Sequence, residues 1–405
     1  MKTLLAVVLS IRFACGAGLP TAAPEHEGFS GERLNRINVV MKEHVAAGRV
    51  AGASGLVVRN GKIVFREHWG EMKPDSIVRM YSMTKGVTGV AAMILYEEGK
   101  FAMTDPLSKY LPEFTKMTVG VGGGKTVPAE HPITVRDLFR HTSGLDYTGP
   151  KEENGDVAYK KLEMVGGAPQ VPFDLAEAVK RLATAPLNDQ PGTMWRYGYS
   201  IDVLGRLVEV LSGKPLDQFF EERIFRPLGM KDTAFFVPEA KWSRLAAVYS
   251  PKRDGGIQRM MGGPQESYKK KPALLLGGAG LASTLEDYSH FYAMLLNDGQ
   301  YDGVRILGRK SVELMRSDHL GSLPHFGTGL PDWEGFGLTF AVNPGPGKSP
   351  DVSSAGTYRW GGAAGTTFWI DPKEHMFGIF LIQILPANFG PAGDFQRLAY
   401  DALVD

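Results

Sequence analysis

The chain has 405 residues, 43% of them apolar and 22% charged, with a formal net charge of +1. No low-complexity linker divides it and no long run of one charge sign crosses it. This predicts one compact body of two lobes with a small, neutral partner, and it argues against a nucleic-acid surface.

Residues 1–25 read as a targeting segment: Lys2, an apolar run from Leu4 to Ile11, then small residues from Ala14 to Gly18. The expectation is export to the periplasm or beyond, with an uncleaved cytoplasmic N-terminus as the alternative. Cys15, the only cysteine, falls inside this segment. A processed chain would hold no thiol, which excludes disulfides and cysteine chemistry. No run approaches the roughly 20 apolar residues of a membrane span.

Ser30 is placed to cap a helix from about Gly31 to Ala47, with Leu34, Ile37, Val40, Met41 and Val45 on one face and Gly48 at its end. Two strands follow, SGLVVR and KIVFREHW, joined by Asn60-Gly61, the strongest short hairpin signal. Next comes Tyr81-Ser82-Met83-Thr84-Lys85, with a helix expected from Ser82 to about Gly99 carrying Val87, Val90, Ala91, Ile94 and Leu95 at helical spacing. Between about 100 and 290 the signals are helical, at 132–141, 174–184, 200–212 and 215–225, separated by Gly/Pro loops. From about 333 strands return as EGFGLTFAV, TYRW, TTFWID and MFGIFLIQIL, and a helix from about Gly393 to Leu403 closes the chain. The simplest assembly is α+β: an antiparallel sheet built from both chain ends, flanked by N- and C-terminal helices and interrupted by a mostly helical lobe. The α/β lobe takes about 26–82 and 300–405, the helical lobe about 83–299, all within one catalytic unit, 26–405.

A serine hydroxyl becomes nucleophilic when a base takes its proton, and S-x-x-K puts an amine one helical turn away on the same face. The spacing occurs twice, at Ser82–Lys85 and Ser267–Lys270, and only the first opens an apolar helical run. Helix-opening backbone N–H groups would also face an oxyanion formed at Ser82. Lys85 must be neutral to act, and an unperturbed lysine titrates near 10.4, so burial or a second cation would have to assist. A second segment, Pro191 to Ser200, carries Tyr197 and Tyr199, either of which offers a phenol to relay a proton. A third, Trp360-Gly361-Gly362-Ala363, suits an extended edge that a substrate approaches closely. No G-x-S-x-G occurs, the GGGKT at Gly122 to Thr126 lacks the first glycine and context of a P-loop, and no histidine spacing suits a metal.

Together with HTSGLDY (His141 to Tyr147), GGAGLASTLEDYSHFYAMLLNDG (Gly277 to Gly299) and RWGGAAGTTFWIDPKE (Arg359 to Glu374), these segments resemble the serine β-lactamase and penicillin-recognising superfamily. The resemblance is closer still to its class C-like carboxylesterases known as family VIII, and it covers nearly the whole mature chain. It implies Ser82 as nucleophile, Lys85 and Tyr197 as general base and proton relay, and the backbone N–H groups of Ser82 and Ala363 as oxyanion hole. Trp360, Gly361, Gly362 and Tyr147 are the expected substrate-binding residues; no cofactor and no metal is implied. Two departures stand out. Gly198-Tyr199 follows Tyr197 where lactamases carry Ser-Asn, leaving Tyr199 as a rival register, and Trp-Gly-Gly replaces the lactamase Lys-Thr-Gly. An apolar indole in place of a cation suits an uncharged ester better than a lactam carboxylate. The expected activity is hydrolysis of small, short-chain acyl esters. A β-lactamase, a D-Ala-D-Ala peptidase, an acyltransferase and a penicillin-binding-like module without catalysis are the alternatives.

Overall fold

The computed structural model describes residues 18–150, 170–327 and 329–405. Residues 1–17 of the expected targeting segment, Cys15 among them, lie outside these. Ser30 accepts a hydrogen bond from the Arg33 N–H, and after a short turn of helix the chain continues as α1 (Arg36–Ala46), which Gly48 ends in the left-handed region. Strands β1 (Gly52–Arg59) and β2 (Lys62–Gly70) pair antiparallel, and Asn60 and Gly61 both adopt positive φ, as a type I′ turn requires. Helix α2 (Thr84–Glu97) follows, and then α3 (Ser200–Ser212) and α4 (Leu285–Leu296). The C-terminal part supplies β3 (Gly335–Phe336), β4 (Ala341–Val342), β5 (Tyr358–Gly361), β6 (Thr367–Asp371), β7 (Met376–Leu381) and the closing helix α5 (Gly390–Asp401).

Both chain ends build one antiparallel seven-stranded sheet in the order β3-β4-β5-β6-β7-β1-β2, giving the expected α+β class. β1 is buried along its whole length because both faces of the sheet are covered. Ala53 and Val57 face α1 and α5 through Ile37, Met41, Phe395 and Leu398, whereas Leu56 and Val58 join the larger core with Val87 and Val90 of α2. Burying several such aliphatic side chains, each contributing about 1.5–3 kcal/mol, fixes α2 between sheet and helical lobe. Among the described residues no helix is long and apolar enough to cross a membrane.

Two local expectations are corrected. EGFGLTFAV is not one strand: Thr339 has φ +77° and donates its N–H to the Phe139 carbonyl, so the chain turns between β3 and β4. Ser82 does not open the α-helix. It occupies a 3-10 turn, Tyr81–Met83, ahead of α2, because Tyr81 is held at φ +46°. A buried, non-glycine residue in that region is strained and persists only where its surroundings fix it.

Candidate active site

Lys85, the second residue of α2, is fully buried, and its side-chain nitrogen reaches three oxygens: Ser82 Oγ at 3.1 Å, Tyr147 OH at 3.0 Å and the Gly278 carbonyl at 2.7 Å. A lysine amine so enclosed is held by its acceptors within reach of the Ser82 hydroxyl. Tyr197 approaches Lys85 with its ring, 4.6 Å from nitrogen to centroid, while its hydroxyl accepts from the Trp360 indole N–H at 3.1 Å. The two tyrosines thus divide the lysine: Tyr147 takes a hydrogen bond, Tyr197 presents its π face.

A cavity of about 510 Å³ opens beside this cluster and is lined by Ser82, Tyr197, Trp360, Gly361, Gly362 and Ala363 among others. Five of the expected site residues and Ser82 therefore share one wall. Tyr147 does not line it. That residue is 37% exposed and packs edge-on against Tyr197, with centroids 5.5 Å apart, its hydroxyl turned inward to Lys85. Burial of this hydroxyl, with Tyr197, Asp202 and Tyr199 beside it, holds its pKa well above the ordinary phenol value. The rival Tyr199 is buried and stacks edge-on against Tyr147, with ring centroids 4.8 Å apart.

Close backbone approaches assemble these pieces. A side chain at Gly198 would put its Cβ 2.2 Å from Asp146 Cα and 2.3 Å from the Leu145 carbonyl, so a glycine after Tyr197 is what lets the Tyr147 loop dock. This accounts for the departure from Ser-Asn. At Gly362 a Cβ would fall 2.3 Å from the Met80 carbonyl, and the contact brings Ala363 alongside the Ser82 turn. β4 pairs only with Tyr358 and Arg359, leaving Trp360 and Gly361 as a free edge toward the cavity. Trp360 is wedged among Tyr197, Phe336 and Trp195, with centroids 5.2, 5.4 and 6.5 Å away, which fixes the indole N–H on the Tyr197 hydroxyl.

His141 is fully buried and left-handed, and its Nδ1 accepts from the Gly198 N–H at 3.4 Å. Burial, then the charge of Lys85, holds it well below the ordinary imidazole value, so it is a neutral prop for Gly198. Among the described residues no group of three His, Cys, Asp or Glu is placed to hold a metal ion.

Sequence reasoning did not find Asp202. This buried carboxylate in the first turn of α3 accepts from the Gly278 N–H at 2.9 Å, and the Gly278 carbonyl in turn holds Lys85. Burial pushes its pKa up to about 6, offset by the charge of Lys85 and the Gly278 hydrogen bond. The only signals in the sequence were an acid opening an apolar helix and the Gly277-Gly278 pair. Because the folded pKa exceeds the unfolded value near 3.9, the folded state retains a proton between about pH 4 and pH 6 that the unfolded chain releases. Stability therefore falls as pH rises through that window, and above pH 6 the charged Asp202 costs up to about 3 kcal/mol. Asp202→Asn keeps the acceptor and removes the charge. Urea denaturation is expected to show it more stable than the parent at pH 7.5, with the difference vanishing near pH 4; equal stability at both would mean that the carboxylate is not desolvated.

Comparison with known proteins gives the chain's relatives. The beta-lactamase family model matches residues 37–402. The chain is 37% identical over 365 residues to the protein Rv1367c of Mycobacterium tuberculosis, covering 85% of this chain and 89% of that one. It is 30% identical over 360 residues to esterase EstB of Burkholderia gladioli, covering 83% and 86%. Among solved structures, EstCE1, described as a hydrolase with promiscuous acyltransferase activity, superposes with a TM-score of 0.79 at 26% identity over 92% of this chain and 99% of that one.

Proposed function

The chain belongs to the beta-lactamase family of serine hydrolases, and within it we propose a serine carboxylesterase acting on uncharged esters with short acyl chains, of the family VIII kind. The carrying observation is the buried Lys85 amine 3.1 Å from Ser82 Oγ, on the wall of a cavity whose sheet edge offers an indole where a lactamase offers a cation. In its neutral form Lys85 takes the Ser82 proton as Oγ attacks the carbonyl carbon, and the N–H groups of Ser82 and Ala363 receive the oxyanion. Collapse breaks the bond to the alcohol, which leaves with the proton that Lys85 took from Ser82, passed from Lys85 by way of the Tyr147 hydroxyl to that of Tyr197 and on to the alkoxide; water then cleaves the acyl-enzyme with the same groups in reverse.

Charge in the cavity favours this substrate class. Among the described residues Arg359 is the cation on its wall, and the buried Glu334 carboxylate engages its Nε and Nη2 and offsets its charge. The name of EstB supports the same activity. The description of EstCE1 supports acyl transfer as a second outcome, in which an alcohol replaces the deacylating water. A fluorophosphonate probe is expected to label the parent protein at Ser82, identified by peptide mass, and to leave Ser82→Ala unlabelled. An unlabelled parent would favour a non-catalytic binding module instead.

A further inference from the structure

The nucleophile turn is tied to the sheet by a residue outside the site. The short strand Val78–Arg79 leads into Tyr81 and Ser82 and pairs antiparallel with Ala282–Ser283, with the Met80 N–H on the Leu281 carbonyl at 2.9 Å. Arg79 thus sits at a non-hydrogen-bonded position of that pairing, and its own N–H and carbonyl point away from Ala282. One side chain meets both. Gln383, just past the end of β7, accepts from the Arg79 N–H at 3.0 Å through Oε1, and through Nε2 it donates to the Arg79 carbonyl at 3.1 Å and the Ile382 carbonyl at 2.9 Å. It is buried, and it is the only polar side chain in the run MFGIFLIQIL. An amide supplies donor and acceptor together, whereas an ionised carboxylate supplies no donor.

The next residue holds the other half of the oxyanion hole. Ile384 donates its N–H to the Ala364 carbonyl at 2.9 Å, beside Ala363 in the loop between β5 and β6. From that loop Thr366 Oγ1 donates to the Met80 carbonyl at 3.3 Å, against which Gly362 already packs. The buried Arg79 guanidinium anchors the strand further, on the carbonyls of Ala246 and Gln265 at 2.7 and 2.8 Å. Tyr81, at φ +46°, keeps its conformation only while the residues before it are fixed. We infer that Gln383 is a positioning residue for acyl transfer: its amide ties the Ser82 turn to the β5–β6 loop and sets the spacing of the two N–H groups that receive the oxyanion. The inference rests on the acyl-enzyme chemistry of the carboxylesterase reading and adds what fixes its oxyanion hole.

The test uses Gln383→Met, which keeps the length of the side chain and removes the amide, and Thr366→Val, which exchanges a hydroxyl for a methyl of like shape. A fluorophosphonate taken to completion counts the active sites, and thermal melting follows the fold. Losing an oxyanion donor outright lowers kcat roughly a hundredfold to a thousandfold and displacing one costs less, so Gln383→Met is expected to lower kcat for p-nitrophenyl butyrate at least about tenfold per titrated site, with KM little changed. Its rate of labelling and its affinity for butylboronic acid, which puts an oxygen where the oxyanion forms, are expected to fall by a like factor. Thr366→Val is expected to show the same pattern in smaller measure, and it carries the test if Gln383→Met does not fold. Unchanged kcat per site with a lower melting temperature would make Gln383 a structural residue only, and a raised KM with unchanged kcat would place its effect in substrate binding; either overturns the inference. With a parent that is labelled at Ser82 but turns over no ester, the carboxylesterase reading falls while the labelling rates still decide the role of Gln383.

Discussion

Lys85→Met is expected to lower kcat/KM for p-nitrophenyl butyrate by at least about a thousandfold without unfolding the protein. Methionine follows much of the lysine stem through the same fully buried channel, so packing around α2 is retained. What disappears is the nitrogen that Ser82, Tyr147 and Gly278 share. General-base assistance is commonly worth a hundredfold to ten-thousandfold, and among the described residues Ser82 has no other basic side chain in hydrogen-bond contact. Because the charge of Lys85 offsets that of the buried Asp202 and its nitrogen serves the buried Gly278 carbonyl, a lower melting temperature with the fold retained is expected beside the lost activity. Residual turnover within tenfold of the parent would show that Lys85 only fills space.

The two tyrosines should separate by kinetic parameter. Tyr197→Phe keeps the ring that faces Lys85 but deletes the hydroxyl at the cavity wall, leaving the Trp360 indole N–H unpaired. Its loss is expected in kcat, about a hundredfold with KM little changed, and it should be smaller for p-nitrophenyl esters than for alkyl esters, because nitrophenolate needs less help to leave. Tyr147→Phe removes an acceptor of Lys85 outside the cavity. A milder loss is expected, about tenfold, with a weaker dependence on the leaving group. If instead Tyr147→Phe showed the strong leaving-group dependence, the phenol that protonates the alcohol would be Tyr147.

What could be read from the sequence was what the chain decides locally. Asn60-Gly61 makes its hairpin from two residues, Ser30 caps from one, and Ser82–Lys85 is a spacing within a single turn. That one antiparallel sheet is built from both chain ends also followed, because strand patterns there must pair across the helical insert, whereas the order of its strands did not. What escaped were contacts made by three or four distant segments meeting at once. The division between Tyr147 and Tyr197 depends on how far the 141–147 loop sinks onto Gly198, and the Asp202–Gly278–Lys85 chain joins segments 76 and 193 residues apart. Gly198 was visible as a departure from Ser-Asn, yet its reason, a 2.2 Å clash avoided, exists only in three dimensions. The same holds for the 3-10 turn at Ser82, where tertiary packing keeps Tyr81 in a conformation that its own side chain disfavours.

The account's central claim is that Ser82, served by Lys85, turns over uncharged esters. Its most direct test is hydrolysis of p-nitrophenyl butyrate beside a chromogenic cephalosporin, for the parent protein and Ser82→Ala. Ester turnover that exceeds cephalosporin turnover in the parent and disappears in Ser82→Ala is the predicted result; dominant cephalosporin turnover, or ester turnover that survives the substitution, would contradict it.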